Sequence, residues 1–476
     1  MLFSSPVFLF LFLPLVLALV ALAPRRLRNT VLFVTSLVFY AWDRPAIALV
    51  MALSIAVNWA LGLAVEGASP RRTKLVIGLA LAFNLGLIGF YKYWNFLWDN
   101  LESLGLGLER FPAHAIELPI GISFFTFQAL SYVIDVSRGE GRAQRNPLDF
   151  GLYIALFPQL IAGPIVRYRD IARQLVERST TLPGFASGVR RFVVGLGKKM
   201  LIANVLAEVA KKIFALEPGT LDCGTAWLGA LCYTAQIYFD FSGYSDMAIG
   251  LGRMLGFEFL ENFDYPYVAR SVTEFWRRWH ISLSSWFRDY LYIPLGGNRR
   301  GTARTYLHLL VVFCLCGLWH GAAWNFVVWG LYHGAFLVLE RAVRGERAAS
   351  RSWLGWPYTV LVVVVGWVFF NAPSLSHALS YVAALFGGGS GDGRAVHAGL
   401  FLDPLVVTVL AAAALGSTPW LRALVAWHER RVASGARDVL ASALELGSVA
   451  LVFAVLALST MMLSGGTFNP FIYFRF

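Results

Sequence analysis

Cys314-Leu-Cys-Gly-Leu-Trp-His-Gly-Ala-Ala-Trp-Asn-Phe-Val-Val-Trp-Gly-Leu-Tyr-His-Gly334 reads as the end of one membrane helix, a break, and the start of the next. His320 lies in its middle, between Trp319 and Gly321 and among apolar and small residues. An ionisable side chain at such depth is costly to keep, which points to function. Burial disfavours an imidazolium, and a neutral imidazole accepts a proton at neutral pH. Small residues at 321–323 leave room for a thin substrate to approach the ring. A structural account stands beside this one: Gly317 and Gly321 are a helix-packing pair, and His320 bonds a neighbouring helix.

Outward from this stretch, apolar runs recur from end to end. Of 476 residues 58% are hydrophobic and 14% charged, and the mean hydropathy is +0.62. Without strand alternation, that composition predicts an all-α polytopic membrane protein, because helices satisfy their own backbone in lipid. The net charge of +12 then orients helices and is no nucleic-acid signal. Cys223, Cys232, Cys314 and Cys316 match neither a zinc site nor a disulfide framework; they read as small core residues, and no metal is implied.

The first apolar segment, residues 3–23, lacks a basic stretch before it and is followed by Arg25, Arg26 and Arg28. It is expected to remain as a helix with its start outside. Further spans are expected at about 30–40, 46–64, 75–94 and 119–136. Asp43-Arg44-Pro45 marks an outer turn, and an outer loop holds Asp99, Glu102 and Glu109. Arg71, Arg72 and Lys74, and then Arg138, Arg142 and Arg145, fall inside. Residues 150–166 are apolar but interrupted by Pro158, Gly163 and Pro164, which predicts a re-entrant hairpin facing the cytoplasm. From Arg167 to Lys212, ten basic residues face three acidic ones. This is a surface near anionic lipid, a mouth that attracts a polyanionic donor, or both.

A long helix over about 225–251 carries Asp240, Tyr244 and Asp246. The acids should line a polar interior, as a structural network or a substrate contact. Phe275-Trp-Arg-Arg-Trp-His-Ile-Ser-Leu-Ser-Ser-Trp-Phe-Arg-Asp-Tyr-Leu-Tyr-Ile-Pro294 reads as one amphipathic interfacial helix. Arg277, His280, Ser284 and Arg288 fall on one face, with Trp279, Leu283, Trp286 and Tyr290 mostly opposite. The basic face is either a solvated anchor or a wall of an active-site mouth. The turn at 294–301 is a weak phosphate signature. Apolar segments follow at about 360–370, 402–415 and 440–463, separated by a glycine-rich loop at 387–393 and a basic connection at 427–437. No repeat or linker divides the chain.

Leu118-Pro-Ile-Gly-Ile-Ser-Phe-Phe-Thr-Phe-Gln128, Phe157-Pro-Gln-Leu-Ile-Ala-Gly-Pro164, the Asp240 helix, Trp279-His280 and Leu318-Trp-His-Gly321 follow one another in order. Together they resemble the membrane-bound O-acyltransferase family, in its bacterial alginate O-acetyltransferase membrane-subunit branch. The resemblance runs from about 118 to 334 and returns in the last nine residues. It implies a single acyltransferase domain over 1–476: a ring of tilted helices, with re-entrant and interfacial ones, around a central tunnel in the inner membrane. His320 stands at the position of the family's catalytic histidine and His280 at that of its second one. The expected donor is cytosolic acetyl-CoA, with Arg277 and Arg288 toward its phosphates. The expected partners are extracytoplasmic proteins that acetylate an exopolysaccharide. His320 would deprotonate an acceptor hydroxyl, while His280 would orient the donor or stabilise developing negative charge. Phe468-Asn-Pro-Phe-Ile-Tyr-Phe-Arg-Phe476 is an aromatic anchor, or resembles a tail in which Tyr473 relays the acyl group. Peptidoglycan O-acetylation and D-alanyl transfer to teichoic acid are the nearest alternatives. A transporter or flippase is the alternative of another class, and it predicts repeated halves that the sequence lacks.

Overall fold

Apolar chain withdrawn from water must pair its backbone polar groups internally, and here it does so as helices. The computed structural model describes residues 1–42, 44–105, 109–112, 114–344, 353–389, 396–433 and 439–466. Among the described residues the strand-like structure is one isolated bridge, between Leu221 and Val396. Five helices in this set are long and apolar enough to cross a membrane: Pro45–Val65, Pro70–Ser103, Thr302–His320, Trp324–Val343 and Ala443–Ser464. A sixth arises if Pro404–Gly416 and Trp420–His428, bent by 57°, form one broken span. The chain is an all-α, multi-pass membrane protein.

One expected span is longer than its apolar core. Residues 70–103 form a continuous helical stretch through a π turn at Gly89–Tyr93. Asp99 and Glu102, expected in a loop, therefore ride on its last turns. Arg110 pairs with Asp99 at 3.0 Å, and the Ile116 N–H donates to Asn95 Oδ1 at 3.0 Å. These contacts give the polar end of the helix partners beyond it in sequence. Asp43 of the expected outer turn, and residues 390–393 of the glycine-rich loop, lie outside the described residues.

The chain forms two compact units. The first comprises Met1–Phe192 and Met247–Leu260. Its interrupted segment is not a span: Pro147–Ala155 is helical, Leu156 leaves the helix, and Phe157–Leu160 makes one further turn. Every residue from 150 to 168 is buried. Protein surrounds the break and satisfies its backbone, as irregular structure at this depth requires. The Phe157 N–H donates to Ser36 Oγ at 3.1 Å, and Gln159 Nε2 to the Tyr153 carbonyl at 2.6 Å. The Phe157 ring packs against Phe3, Phe8, Phe12 and Phe39.

The second unit comprises Val193–Asp246 and Glu261–Phe476. Helix Cys223–Met254 contributes its residues up to Asp246 to this unit, and its acids there are buried. Asp240 meets Lys199 at 2.6 Å, and Asp246 meets Lys198 at 2.7 Å. Asp240 and Lys199 are only 1% and 3% exposed, so each charge depends on the other for compensation. A Cβ on Gly243 would lie 2.8 Å from the Gly195 carbonyl, so glycine is what lets these two backbones meet. Cys232 and Cys316 are buried as expected, whereas Cys223 is exposed at the start of this helix.

Candidate active site

Helix Thr302–His320 ends on His320; Gly321 is extended, and helix Trp324–Arg344 returns beside it. The sequence reads correctly here because its glycines and break are local signals. A Cβ on Gly317 would lie 2.2 Å from the Phe326 carbonyl, and one on Gly330 2.2 Å from that of Phe313. The packing role of Gly317 is therefore real. Gly321 stands off the helix, with the Phe326 ring where a Cβ would go. His320 is 4% exposed and is enclosed by the rings of Trp319, Trp329 and Phe370 at 4.8, 5.1 and 5.2 Å. Asn325 holds the Phe370 helix in place by donating to the Phe369 and Ala372 carbonyls at 3.2 and 3.0 Å.

The stretch expected as one amphipathic helix is two. Val272–Arg278 ends at Trp279, His280 takes a left-handed conformation (φ 46°, ψ 54°), and Ile281–Phe287 begins anew. A partner distant in sequence causes the break. The Asp264 N–H donates to the Arg278 carbonyl at 2.9 Å, and the Ile281 N–H to the Asn262 carbonyl at 3.0 Å. An extended segment at 262–264 thus takes over bonds that a continuous helix would have made internally. Positive φ on a bulky residue is strained, and such strain gathers at functional sites. The face assignment survives the break in part: Trp279, Leu283, Trp286 and Tyr290 are buried and Arg277 and Arg288 are exposed, but His280, expected beside the arginines, is buried.

His280 itself is fully buried and does not lie on the basic surface. Its ring packs at right angles to Phe241 at 4.6 Å and reaches Trp319 at 6.1 Å. Trp319 is therefore a common neighbour of His280 and His320. Burial pushes the His280 imidazole down to about 3, because a charge there would have no solvent. Its Nδ1 lies 3.2 Å from Asn262 Oδ1, and its Nε2 has no hydrogen-bond partner among the described residues.

The cation positions differ from each other. Arg288 is held by Asp289, Nε to Oδ1 at 2.6 Å and Nη2 to Oδ2 at 3.1 Å. Arg277 carries no ion pair among the described residues. Its neighbour Arg278 is engaged by Glu274 at 2.9 Å and Asp264 at 3.1 Å. His333, on the returning helix, packs against Trp276, Trp329 and Tyr332 at 5.2–5.3 Å. Tyr473 lies outside the described residues.

Two residues of the site carried no sequence signal. Asn262 supports His280 from 18 positions away. Glu340 reaches the start of helix Val272–Arg278, accepting from the Val272 and Thr273 N–H groups at 2.6 and 2.9 Å and from the Thr273 hydroxyl at 2.7 Å. Only long-range contacts mark either residue, so local pattern is silent on both.

Buried histidines in an aromatic enclosure within a multi-pass helical protein mark a candidate functional site of a membrane-embedded protein. The family model described as MBOAT, membrane-bound O-acyltransferase family, matches residues 123–380. The chain belongs to that family and is an O-acyltransferase. It is 44% identical to a probable alginate O-acetylase AlgI of Azotobacter vinelandii over 502 residues, covering 100% of both chains. Against a probable alginate O-acetylase AlgI of Pseudomonas putida the identity is 45% over 498 residues, again covering 100% of each. A peptidoglycan O-acetyltransferase of Helicobacter pylori is 35% identical over 81% of this chain and 80% of its own.

Proposed function

We propose that this chain takes the acetyl group of cytosolic acetyl-CoA and passes it across the inner membrane for O-acetylation of an alginate-like polysaccharide. The observation that carries this reading is likeness along the whole length to probable alginate O-acetylases. We rank the peptidoglycan reading second because the identity to that enzyme is lower. The chain acts as a single acyltransferase domain with extracytoplasmic partner proteins.

In the proposed reaction, His320 takes the proton of the acceptor hydroxyl as its oxygen attacks the thioester carbonyl. The tetrahedral adduct collapses, the C–S bond breaks, and the thiolate recovers the proton from the imidazolium. Arg277 and Arg288 draw in the phosphates of the donor, and His280 contacts the substrate beside the reacting centre. Tyr473 is the first acceptor: its phenol takes the acetyl group as an aryl ester and yields it to a partner. A phenolate, with pKa near 10, leaves more readily than a sugar alkoxide.

Purified protein in nanodiscs, given labelled acetyl-CoA and the polymer-acetylating partners, tests this reading. Labelled coenzyme A release and polymer ester formation are expected together. If acetyl-CoA is inert while another acyl donor is consumed, the donor assignment falls. Tyr473→Phe keeps the ring and deletes the hydroxyl. It is expected to bind acetyl-CoA normally and transfer nothing onward; normal polymer acetylation by this variant would make the tail an anchor alone.

A further inference from the structure

We propose that Asn262 is a positioning residue that holds the His280 proton on Nδ1, so that Nε2 meets the substrate as a hydrogen-bond acceptor and never as a donor. The inference rests on His280 lying beside the substrate, as proposed above. It narrows the two roles open to His280 to one.

The chain of donors decides the tautomer. The Ser282 N–H donates to the Asn262 side chain at 3.1 Å. A backbone N–H can only donate, so the Asn262 atom at that position is the carbonyl oxygen and not the amide nitrogen. The same oxygen accepts the Ser282 hydroxyl at 2.9 Å. His280 Nδ1 lies 3.2 Å from it, and two lone pairs facing each other at that distance would repel. Nδ1 therefore carries a proton. The Ser282 hydroxyl, 3.5 Å from Nδ1, donates its proton to Asn262, so toward the ring its oxygen can only accept, which again requires the proton on Nδ1.

A neutral imidazole has one N–H, and here it is spent on Asn262. The complete burial of the ring and its depressed pKa of about 3 keep it from gaining a second near neutrality. Nε2 is then a bare lone pair. It has no partner among the described residues, and a buried acceptor left unmade is costly. The strained backbone at residue 280 holds this orientation, and its neighbouring Ile281 N–H is anchored to the Asn262 carbonyl at 3.0 Å.

The chemistry that completes the site is a neutral hydrogen-bond donor. Two substrate groups qualify: an amide N–H of the pantetheine arm, or the hydroxyl that accepts the acyl group. A developing oxyanion does not qualify, because an acceptor cannot stabilise it. His280 accordingly orients a substrate, and the stabilisation of negative charge falls to other groups.

Solid-state NMR of the full-length protein in lipid, with ¹⁵N-labelled histidine, reads the tautomer without any substrate. The His280 signals are assigned by difference from His280→Gln. Protonated Nδ1 and bare Nε2 are expected in the wild type, and a mixture or the reverse in Asn262→Leu. Protonated Nε2 in the wild type overturns the proposal whatever the activity. Asn262→Asp preserves all three acceptor contacts and places a carboxylate beside Nδ1, which favours the imidazolium. It is expected to retain transfer at high pH and to move the acid limb of the pH profile upward. Asn262→Leu should lose about 10–100-fold, the usual cost of removing a partner that orients a working imidazole. Equal loss in both variants at every pH would reduce Asn262 to a structural role and overturn the proposal. The arms also separate the two donors. A raised KM for acetyl-CoA in Asn262→Leu assigns Nε2 to the pantetheine amide; an unchanged KM with slowed onward transfer assigns it to the hydroxyl. If acetyl-CoA proves inert, the NMR result still stands and only the functional reading fails.

Discussion

His320 and His333 both pack against one tryptophan, and the contrast between them is the sharpest test at the scale of single residues. Trp329, wholly buried, lies 5.1 Å from the His320 ring and 5.2 Å from that of His333. His320 closes its helix beside the small residues 321–323. His333 stands mid-helix, and a Cβ on Gly366 would lie 2.6 Å from its Nε2, so packing already fills that side. His320→Ala is expected to lower acyl transfer by roughly 10²–10⁴-fold, the range for loss of a general base. His333→Ala should instead lower thermal stability while leaving the rate per folded molecule nearly unchanged. Comparable loss of rate per folded molecule in both variants would remove His320 from its special role. Both histidines were legible in the sequence, because a titratable residue in an apolar run stands out. Asn262 was not, since an asparagine in a polar loop stands out only once its partner is known.

Elements were read well where their signals are local and poorly where tertiary contacts decide. The hairpin around His320 followed from a glycine-marked break. The single helix expected over 275–294 failed because its amphipathic pattern is continuous while its hydrogen bonds are not; the 262–264 segment competes for them. Helix Val272–Arg278 then needs caps of its own. Ser271 Oγ accepts from the Glu274 N–H at 3.0 Å, and the Glu340 carboxylate receives the Val272 and Thr273 N–H groups. A buried carboxylate at a helix start is matched by the positive end of the dipole. Glu340→Gln keeps the size but gives up the charge and turns one acceptor into a donor facing N–H groups. A loss on the order of 1–3 kcal/mol is expected, the cost of a broken charge-assisted bond to a buried group. It should appear as a lower melting temperature in detergent and faster proteolysis at 262–272. Glu340→Ala, which deletes the cap outright, should be at least as severe; two variants as stable as wild type would show that the cap is dispensable.

Over the whole molecule, the class was legible because lipid imposes one rule on every apolar run, but the expected spans at 3–23, 119–136 and 360–370 are met by the shorter apolar helices Phe8–Leu22, Ile122–Ser137 and Gly355–Asn371. What composition could not tell was which of the many cations is free to meet a donor. If acetyl-CoA is the donor, as proposed, exposed basic residues on the face it approaches attract its phosphates, and this attraction weakens with salt. Within that field Arg277 and Arg288 looked equivalent from sequence, both on the basic face. The structure makes them unequal. Arg288 is already clamped by both carboxylate oxygens of Asp289, so its charge is largely compensated and its planar donors are occupied. Arg277 is exposed and free of ion pairs among the described residues. Arg277→Ala is therefore expected to raise the KM for acetyl-CoA more than Arg288→Ala does, with kcat nearly kept in each, because uniform binding is lost rather than transition-state binding. The KM of Arg277→Ala should also depend less on ionic strength than that of the wild type. Asp289→Asn separates the alternatives further: by releasing Arg288 it should lower the KM if the clamp is what silences that side chain. Steady-state kinetics of the purified variants at low and high salt check all three. A larger KM effect at Arg288 than at Arg277, or a collapse of kcat at either, would show that phosphate attraction is not what these arginines do.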